Sequence, residues 1–238
     1  SRAREAIEPL IEALAKTKGR LQNEIANALE SLTGESFGRT PATWRKWWFE
    51  RGVSFKVPEV APTFWPEQGE TQYAFYGIRL VSDRAAFVCD VSGSMKGTSI
   101  QTLQRELAAV VKRFPPQGKF NFIFFNDKVH PWAKKLVSAN AKEKKKALAM
   151  IEKMGASGAT NLWDALKRAM NDKDVDTIVL LSDGAPTAGK IQNSKKIAQT
   201  FFKLNRDRMV LLHVVAIGQV APYLESMAKL SGGSYVER

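Results

Sequence analysis

The sequence contains few of the residues on which disulfide-bonded, membrane-spanning and histidine-dependent proteins rely. Among its 238 residues are one cysteine and two histidines. One cysteine excludes an intrachain disulfide, and because Cys89 lies in an apolar run it is interpreted as a small core residue. No apolar run approaches the ~18–20 residues of a transmembrane helix. The chain opens with neither an initiator Met nor a signal-peptide core. We therefore interpret it as a fragment, compatible with both a cytoplasmic and an exported protein.

Acidic residues are outnumbered, and most of the excess positive charge falls in the C-terminal two thirds of the chain. Residues 85–238 hold 24 Lys or Arg against 13 Asp or Glu, so they carry +11 of the formal net charge of +12. Such a balance favours acidic proteins, nucleic acid or anionic membranes as partners. The densest basic run, residues 142–146, has no aromatic residues beside it and no nucleic-acid motif, which is typical of a solvated helix face. We therefore expect no nucleic-acid partner.

Apolar spacing predicts a small all-α region over residues 1–56. Residues 3–14 and 21–32 each place apolar side chains at helical intervals, which predicts an antiparallel helix pair. Thr40 and Pro41 are typical of the N-cap and first residue of a third helix. Three tryptophans on that helix share one face and indicate a packed core. These residues are Trp44, Trp47 and Trp48.

Residues 57–84 are expected to connect this helical region to the remainder of the chain. Prolines and a glycine punctuate residues 57–70, which predicts a semi-rigid, proline-rich linker. Residues 73–80 have the sequence Tyr-Ala-Phe-Tyr-Gly-Ile-Arg-Leu and are interpreted as an edge strand or an extended arm lying on the next domain.

From residue 85 onward, apolar strands alternate with amphipathic helices. We place strands at 85–90, 119–126, 128–132, 176–182, 209–216 and 234–237. We place helices at 99–113, 141–153, 161–171, 190–204 and 220–230. Strands that are apolar on both faces are typical of a parallel sheet covered by helices. Residues 85–238 are therefore predicted to form a Rossmann-like, doubly wound α/β domain with a mostly parallel six-stranded sheet.

Oxygen-bearing side chains follow two of these strands and precede one helix. Asp90, Ser92 and Ser94 follow the first strand, Thr160 opens a helix, and Asp183 follows the strand at 176–182. In a doubly wound domain these segments meet at the carboxyl edge of the sheet. Carboxylates and hydroxyls without Cys or His suit Mg²⁺, with Mn²⁺ and Ca²⁺ as less selective alternatives. The sequence therefore predicts a divalent-metal site.

In this order, the five residues resemble the metal ion-dependent adhesion site of von Willebrand factor type A domains. The resemblance implies that the hydroxyls of Ser92 and Ser94 ligate the metal directly. It implies that Thr160 does so when a partner is bound. It also implies that Asp90 and Asp183 hold the ion mainly through bound waters.

The resemblance extends over residues 85–238 and implies protein binding and no catalysis. In such domains a partner protein usually supplies a Glu or Asp to the metal. Neutral hydroxyl ligands leave the ion electrophilic, so a partner carboxylate is attracted to its open position. Some relatives work with AAA-type ATPases, and others act as surface adhesins or in secretion assemblies. The sequence does not choose between these settings.

The N-terminal region resembles the last helix pair of a HEAT-type repeat array, with residues 1–33 as that pair. The combination of such repeats with this α/β domain resembles a group of bacterial proteins. Because one repeat cannot bury its own apolar face, we expect further repeats upstream.

Three alternatives stay open. Residues 184–190 match the Gly-x-x-x-x-Gly-Lys pattern of a phosphate-binding loop, but Ile191 stands where a Ser or Thr must reach Mg²⁺. A hydrolase would need a general base, yet His130 lies at a predicted sheet edge and His213 inside an apolar strand. The third alternative is a structural scaffold whose metal site is unused.

Overall fold

The computed structural model describes residues 2–57, 73–80, 82–218 and 221–238, and the chain divides into two compact units. The first unit spans Ser1–Glu70 and the second Thr71–Arg238. No helix in the described parts of the chain is long and apolar enough to cross a membrane.

The first unit is helical. Its helices are α1 (Arg2–Glu5), α2 (Ile7–Lys16), α3 (Gly19–Thr33) and α4 (Pro41–Arg51). Trp44 and Trp47 are buried in a core shared by α2, α3 and α4, as the spacing predicts. Trp48 is half-buried, with the Arg4 guanidinium 5.6 Å from its ring centroid. The tryptophan face is therefore core, whereas the likeness to HEAT repeats stays a prediction.

The segment predicted as one edge strand or arm is a β-hairpin instead. Strand β1 (Tyr73–Phe75) pairs antiparallel with β2 (Ile78–Leu80). The turn residues Tyr76 and Gly77 both have positive φ, 50° and 81°, as a two-residue hairpin turn requires. Four hairpin residues, Phe75, Tyr76, Ile78 and Leu80, are buried in the core of the second unit, so the segment belongs to that unit. Most of the expected proline-rich linker lies outside the described residues.

The second unit is built on a seven-stranded sheet. Its strands are β3 (Arg84–Asp90), β4 (Lys119–Phe125), β5 (Val129–Pro131), β6 (Val137–Ser138), β7 (Thr177–Ser182), β8 (Leu211–Ala216) and β9 (Tyr235–Glu237). The order is β5-β4-β3-β7-β8-β9, with β6 also paired to β4. All pairings are parallel except those of β5 and β6 with β4. The predicted Rossmann-like architecture is confirmed, and β6, at two residues too short for a recognisable pattern, is additional.

Helices cover both faces of this sheet. They are α5 (Thr98–Arg113), α6 (Ala141–Glu152), α7 (Leu162–Met170), α8 (Ser194–Asn205) and α9 (Pro222–Leu230), with one 3₁₀ turn at Gly93–Met95. One core lies between the sheet and α5, α6 and the hairpin, and the other between the sheet and α7, α8 and α9. The helix predicted from residue 190 begins only at Ser194, because the Asn193 side chain caps it by accepting from the Lys196 N–H at 3.0 Å.

The strand order positions a crevice at the carboxyl edge of the sheet. Strand β3 lies centrally between β4 and β7. The chain leaves β3 for α5 on one face and leaves β7 for α8 on the other. Loops that diverge in this way open a ligand crevice between the two strand ends.

Candidate metal centre

The three predicted segments meet at this crevice. Asp90 is the last residue of β3, Asp183 directly follows β7, and Thr160 lies just before α7. Ser92 and Ser94 lie in the turn that connects β3 to α5. Because β3 and β7 are adjacent and parallel, their carboxyl ends bring Asp90 and Asp183 to the same place.

Hydrogen bonds within the protein hold Asp90 in one orientation. The backbone N–H of Ser92 donates to Asp90 Oδ1 at 2.9 Å, and the Ser182 hydroxyl donates to Asp90 Oδ2 at 2.8 Å. Asp90 is fully buried and Ser92 is 1% exposed. The Oγ atoms of Ser92 and Ser94 lie 3.1 Å apart, so both hydroxyls face the same space.

Backbone hydrogen bonds join the first loop to the loop that precedes Thr160. The Gly93 N–H donates to the Gly158 carbonyl at 2.9 Å, and the Ser157 N–H donates to the Val91 carbonyl at 2.8 Å. Thr160 lies two residues after Gly158 and is 6% exposed. These bonds fix the Thr160 segment beside the serine turn without any contribution from a ligand.

A third loop, after β7, is fastened to Thr160 itself. The Thr187 and Ala188 N–H groups donate to the Thr160 carbonyl at 3.0 and 3.2 Å. The Thr160 N–H in turn donates to Thr187 Oγ1 at 3.0 Å. Residues 184–190 are thus a support for Thr160. Their N–H groups at 187 and 188 are occupied, and Lys190 precedes α8 by several residues, which disagrees with the geometry of a phosphate-binding loop.

The electrostatics of the two aspartates favour a cation. Burial raises the pKa of the Asp90 carboxyl, and the neighbouring Asp183 charge raises it further, against the lowering effect of the Ser92 and Ser182 hydrogen bonds. Asp183 Oδ1 is buried and accepts no hydrogen bond from any described residue. An unpartnered buried carboxylate oxygen is costly, and a positive ion between the two aspartates would remove both penalties.

The donor chemistry fits a hard divalent ion. No group of three or more His, Cys, Asp or Glu side chains able to hold a metal occurs in the part of the chain that the structure describes. The candidate donors at this edge of the sheet, called the metal edge below, are the carboxylates of Asp90 and Asp183 and the hydroxyls of Ser92, Ser94 and Thr160. An all-oxygen set of this kind suits Mg²⁺, Mn²⁺ or Ca²⁺ and disfavours Zn²⁺ or copper.

The two histidines serve other contacts. His213 is buried in β8, and its Nδ1 accepts from the Ser234 N–H at 3.0 Å. Burial lowers the pKa of His213 to about 4. His130 is exposed on β5, with Nε2 3.1 Å from Asn126 Oδ1. Neither histidine is placed as a general base that could accept a proton from the hydroxyls of the metal edge.

Sequence reasoning missed the residues that position the predicted ligands. Ser182 orients Asp90, Thr187 supports Thr160, and the Asn161 side chain caps α7 by accepting from the Asp164 N–H at 3.4 Å. The position of Ser182, one residue before Asp183 at a strand end, was a usable signal. No local sequence pattern indicates the role of Thr187, because Thr160, which it contacts, lies 27 residues earlier in the sequence.

Comparison with known proteins supports the same fold. A mouse protein described as inter alpha-trypsin inhibitor, heavy chain 4, is 31% identical over 170 residues, which cover 64% of this chain and 18% of that protein. Inter-alpha-trypsin inhibitor heavy chain H2 from Sus scrofa is 33% identical over 144 residues, covering 56% and 15%. The matched region is thus a small part of these relatives.

Solved structures show the fold at lower identity. A von Willebrand factor type A protein from Catenulispora acidiphila superposes with a TM-score of 0.57 at 16% identity, covering 68% of this chain and 40% of that one. Proximal thread matrix protein 1 from the mussel byssus superposes with a TM-score of 0.51 at 19% identity, covering 64% and 40%.

The family model described as von Willebrand factor type A domain matches residues 84–236. This range begins with β3 and ends within β9, so it contains part or all of every strand of the seven-stranded sheet together with the metal edge. The chain therefore belongs to the von Willebrand factor type A family, whose domains are protein-interaction modules that commonly bind a divalent metal.

Proposed function

We propose that this domain binds Mg²⁺ through Asp90, Ser92, Ser94, Thr160 and Asp183 and presents it to a Glu or Asp of a protein partner. The observation that carries the proposal is Asp183 Oδ1, a buried carboxylate oxygen without a hydrogen-bond partner among the described residues. It lies at the same strand ends as the buried Asp90 and the paired serine hydroxyls. A bound cation would satisfy the unpartnered oxygen and offset the repulsion between the two aspartates.

The residues of the proposed site would contribute to ion binding in different ways. Asp90 is fixed by Ser92 and Ser182, so it provides a pre-oriented negative charge. The serine hydroxyls are neutral donors, and they do not cancel the charge of the ion. A bound Mg²⁺ would therefore supply an electrophilic position for a partner carboxylate. Thr160, held by its hydrogen bond to Thr187, would lie beside that position.

Binding is favoured over turnover at this site. Hydrolysis by a metal-bound water needs a general base within hydrogen-bond reach. Neither histidine contacts this site, and the hydrogen bonds of Ser92, Thr160 and Asn161 join these residues to other residues of its loops. The competing proposal is a scaffold that keeps these residues without using a metal.

Isothermal titration of Mg²⁺ and Mn²⁺ into chelator-stripped protein tests the metal site. We expect micromolar to millimolar affinity that Asp90→Ala and Ser94→Ala abolish. The matched control is Asp127→Ala, which removes an exposed carboxylate from a neighbouring turn. Ser94 is exposed, so Ser94→Ala should change the free energy of unfolding by no more than about 0.5 kcal/mol.

Two results would contradict the proposal. If the Asp90→Ala protein binds the ions as wild type does, the metal lies elsewhere. If Ser94→Ala unfolds the metal-free protein, the residue is structural and the scaffold alternative gains support.

A further inference from the structure

We propose that the partner presents an acidic segment, in which further carboxylates beside the metal-bound one are held by Lys96, Lys128 and Lys190. This inference rests on the proposed function and specifies the chemistry of the partner. The three lysines, called the lysine rim below, are all exposed and come from three different loops of the metal edge.

Lys96 belongs to the loop that carries the serine ligands. It follows Ser94 by two residues, and its N–H bonds to the Gly93 carbonyl at 3.4 Å at the end of the 3₁₀ turn. The loop is anchored in turn to Gly158 through the Gly93 N–H. Lys96 is therefore held at the metal edge by the same backbone contacts that hold Ser92.

Lys128 lies in the turn between β4 and β5, beside the Thr160 segment. Its N–H donates to Asn126 Oδ1 at 3.0 Å, which closes the turn. The Asn126 carbonyl accepts from the Asn161 N–H at 2.7 Å. The turn is thus bonded directly to the residue that follows Thr160.

Lys190 ends the loop that supports Thr160. Its N–H lies 3.3 Å from Asp164 Oδ2 in the first turn of α7. The preceding Gly189 packs so closely on Asn161 that an added Cβ would lie 1.8 Å from Asn161 Oδ1. Lys190 therefore follows a segment that is anchored to the start of α7, independently of the turn that carries Ser92 and Ser94.

The positive charge of the lysine rim is available to a ligand. At the other edge of the sheet, Asp174 neutralises Arg84 and Lys119, each at 3.1 Å. Within the described parts of the chain, no ion pair joins the rim to a carboxylate. Outside the metal group, Asp127 directly precedes Lys128 and Asp164 contacts the Lys190 N–H, and these two carboxylates are fewer than the three lysines. With a divalent ion bound by two aspartates, this surface is net positive and complements an acidic ligand.

A protein segment fits this surface better than nucleic acid does. Domains of this family are protein-interaction modules. The rim residues are spread over three loops around one crevice. No residue directly adjacent to them in the sequence is aromatic, whereas single-stranded nucleic-acid sites use aromatic side chains to stack bases. A carboxylate in the crevice and neighbouring carboxylates on the rim can belong to one short chain of Asp or Glu residues.

The test compares two labelled peptides of Gly and Ser, one with a single central Glu and one with three additional flanking Glu residues. Their affinities for the full chain are measured by fluorescence anisotropy at saturating Mg²⁺ and low ionic strength. We expect the Glu-rich peptide to bind about tenfold more tightly, since three exposed ion pairs together have about that effect. The variant Lys96→Gln/Lys128→Gln/Lys190→Gln should lose this advantage and keep its affinity for the single-Glu peptide.

A matched control removes the same charge elsewhere. Lys142, Lys173 and Lys203 are exposed at the start of α6, before β7 and near the end of α8, away from the metal edge. Lys142→Gln/Lys173→Gln/Lys203→Gln should keep the tenfold preference. Equal loss in both triple variants would overturn the proposal, because the effect would then be one of net charge.

The remaining outcomes separate this inference from the proposed function. A Glu-rich preference that depends on the rim but survives chelation and Asp90→Ala supports the rim and overturns the metal function. Metal-dependent binding without the preference leaves the metal function standing and overturns the rim. Tighter rim-dependent binding of a single-stranded oligodeoxynucleotide than of the Glu-rich peptide overturns it in favour of nucleic acid, and failure of both peptides to bind overturns both proposals.

Discussion

Asp90 and Asp183 are the same kind of side chain in different surroundings, and the difference explains their roles. Each Asp90 oxygen accepts a hydrogen bond from the protein, from the Ser92 N–H and the Ser182 hydroxyl. Asp183 Oδ1 has no such partner among the described residues. Under the proposed function, Asp90 would be oriented before the metal binds, whereas the unpartnered oxygen of Asp183 would be available to it. Ser182 is therefore a positioning residue.

Replacing Ser182 tests this role. Ser182→Ala leaves buried Asp90 Oδ2 without its donor, so we expect the Mg²⁺ affinity to fall about 10-fold or more. The free energy of unfolding of the metal-free protein should fall by about 1–2 kcal/mol, as for other unsatisfied buried groups. Titration calorimetry and urea unfolding measure the two effects. Ser138→Ala, an exposed strand serine, is the control, and an unchanged affinity in Ser182→Ala would argue against positioning.

At the scale of elements, the loop after β7 decides how Thr160 is held. Gly189 has a φ of 90°, which side chains rarely adopt, and its backbone closely approaches the Asn161 side chain. That side chain caps α7 directly after Thr160. The loop, the helix start and the predicted ligand therefore form one connected unit.

Gly189→Ala should disturb all three parts of this unit. The strained φ and the displaced cap each cost about 1 kcal/mol, so we expect about 2 kcal/mol less stability in urea unfolding. Binding of an acidic peptide should weaken more than binding of Mg²⁺ alone, since Thr160 is expected to ligate only with a partner present. Gly155→Ala, where an added Cβ meets nothing within 4 Å, is the control and should be neutral. Wild-type stability in Gly189→Ala would show that the loop relaxes without cost.

Two elements differ from what their local sequence patterns predict. Residues 73–80 have the composition of one strand, yet they turn back at Tyr76 and Gly77, and the Tyr76 N–H bonds to Glu106 on α5 at 3.0 Å. Helix α8 begins four residues later than its apolar pattern suggests, because residues before Asn193 belong to the loop packed on Thr160. Long-range contacts took precedence over local propensity in both segments.

At the scale of the whole molecule, the domain should be independent of the helical unit. Residues 71–238 form a compact unit that contains the hairpin, the sheet and every predicted ligand. We expect this fragment to unfold cooperatively and to bind Mg²⁺ as the full chain does. Thermal denaturation and titration of both proteins measure this. A fragment starting at Arg84, without the hairpin, should be markedly less stable, since Phe75, Ile78 and Leu80 fill its core; equal stability would show the hairpin to be dispensable.

Acid should destabilise the whole fold through His213. Burial lowers its pKa from 6.5 to about 4, so the unfolded chain takes up a proton in that interval and the folded chain does not. Stability from this residue is therefore constant above about pH 6.5, is lost as the pH falls toward 4, and amounts to about 3 kcal/mol. His213→Asn keeps an acceptor for the Ser234 N–H and should lose correspondingly less stability in urea unfolding between pH 7 and 4. Parallel curves for the two proteins would contradict this assignment.

The sequence by itself determined the alternation of strands and helices and the Rossmann-like class, and it predicted the five oxygen donors of the proposed metal site. These follow from local features, namely apolar runs, helical periodicity and polar residues at strand ends. Only the tertiary structure decided which groups orient them. Ser182 reaches Asp90 across 92 residues of sequence, and Thr187 reaches Thr160 across 27. Such pairs exist because parallel strand pairing brings distant loops to one edge, where Asp183 Oδ1 is buried and has no hydrogen-bond partner among the described residues. No local pattern encodes that register, which depends on the packing of the whole sheet.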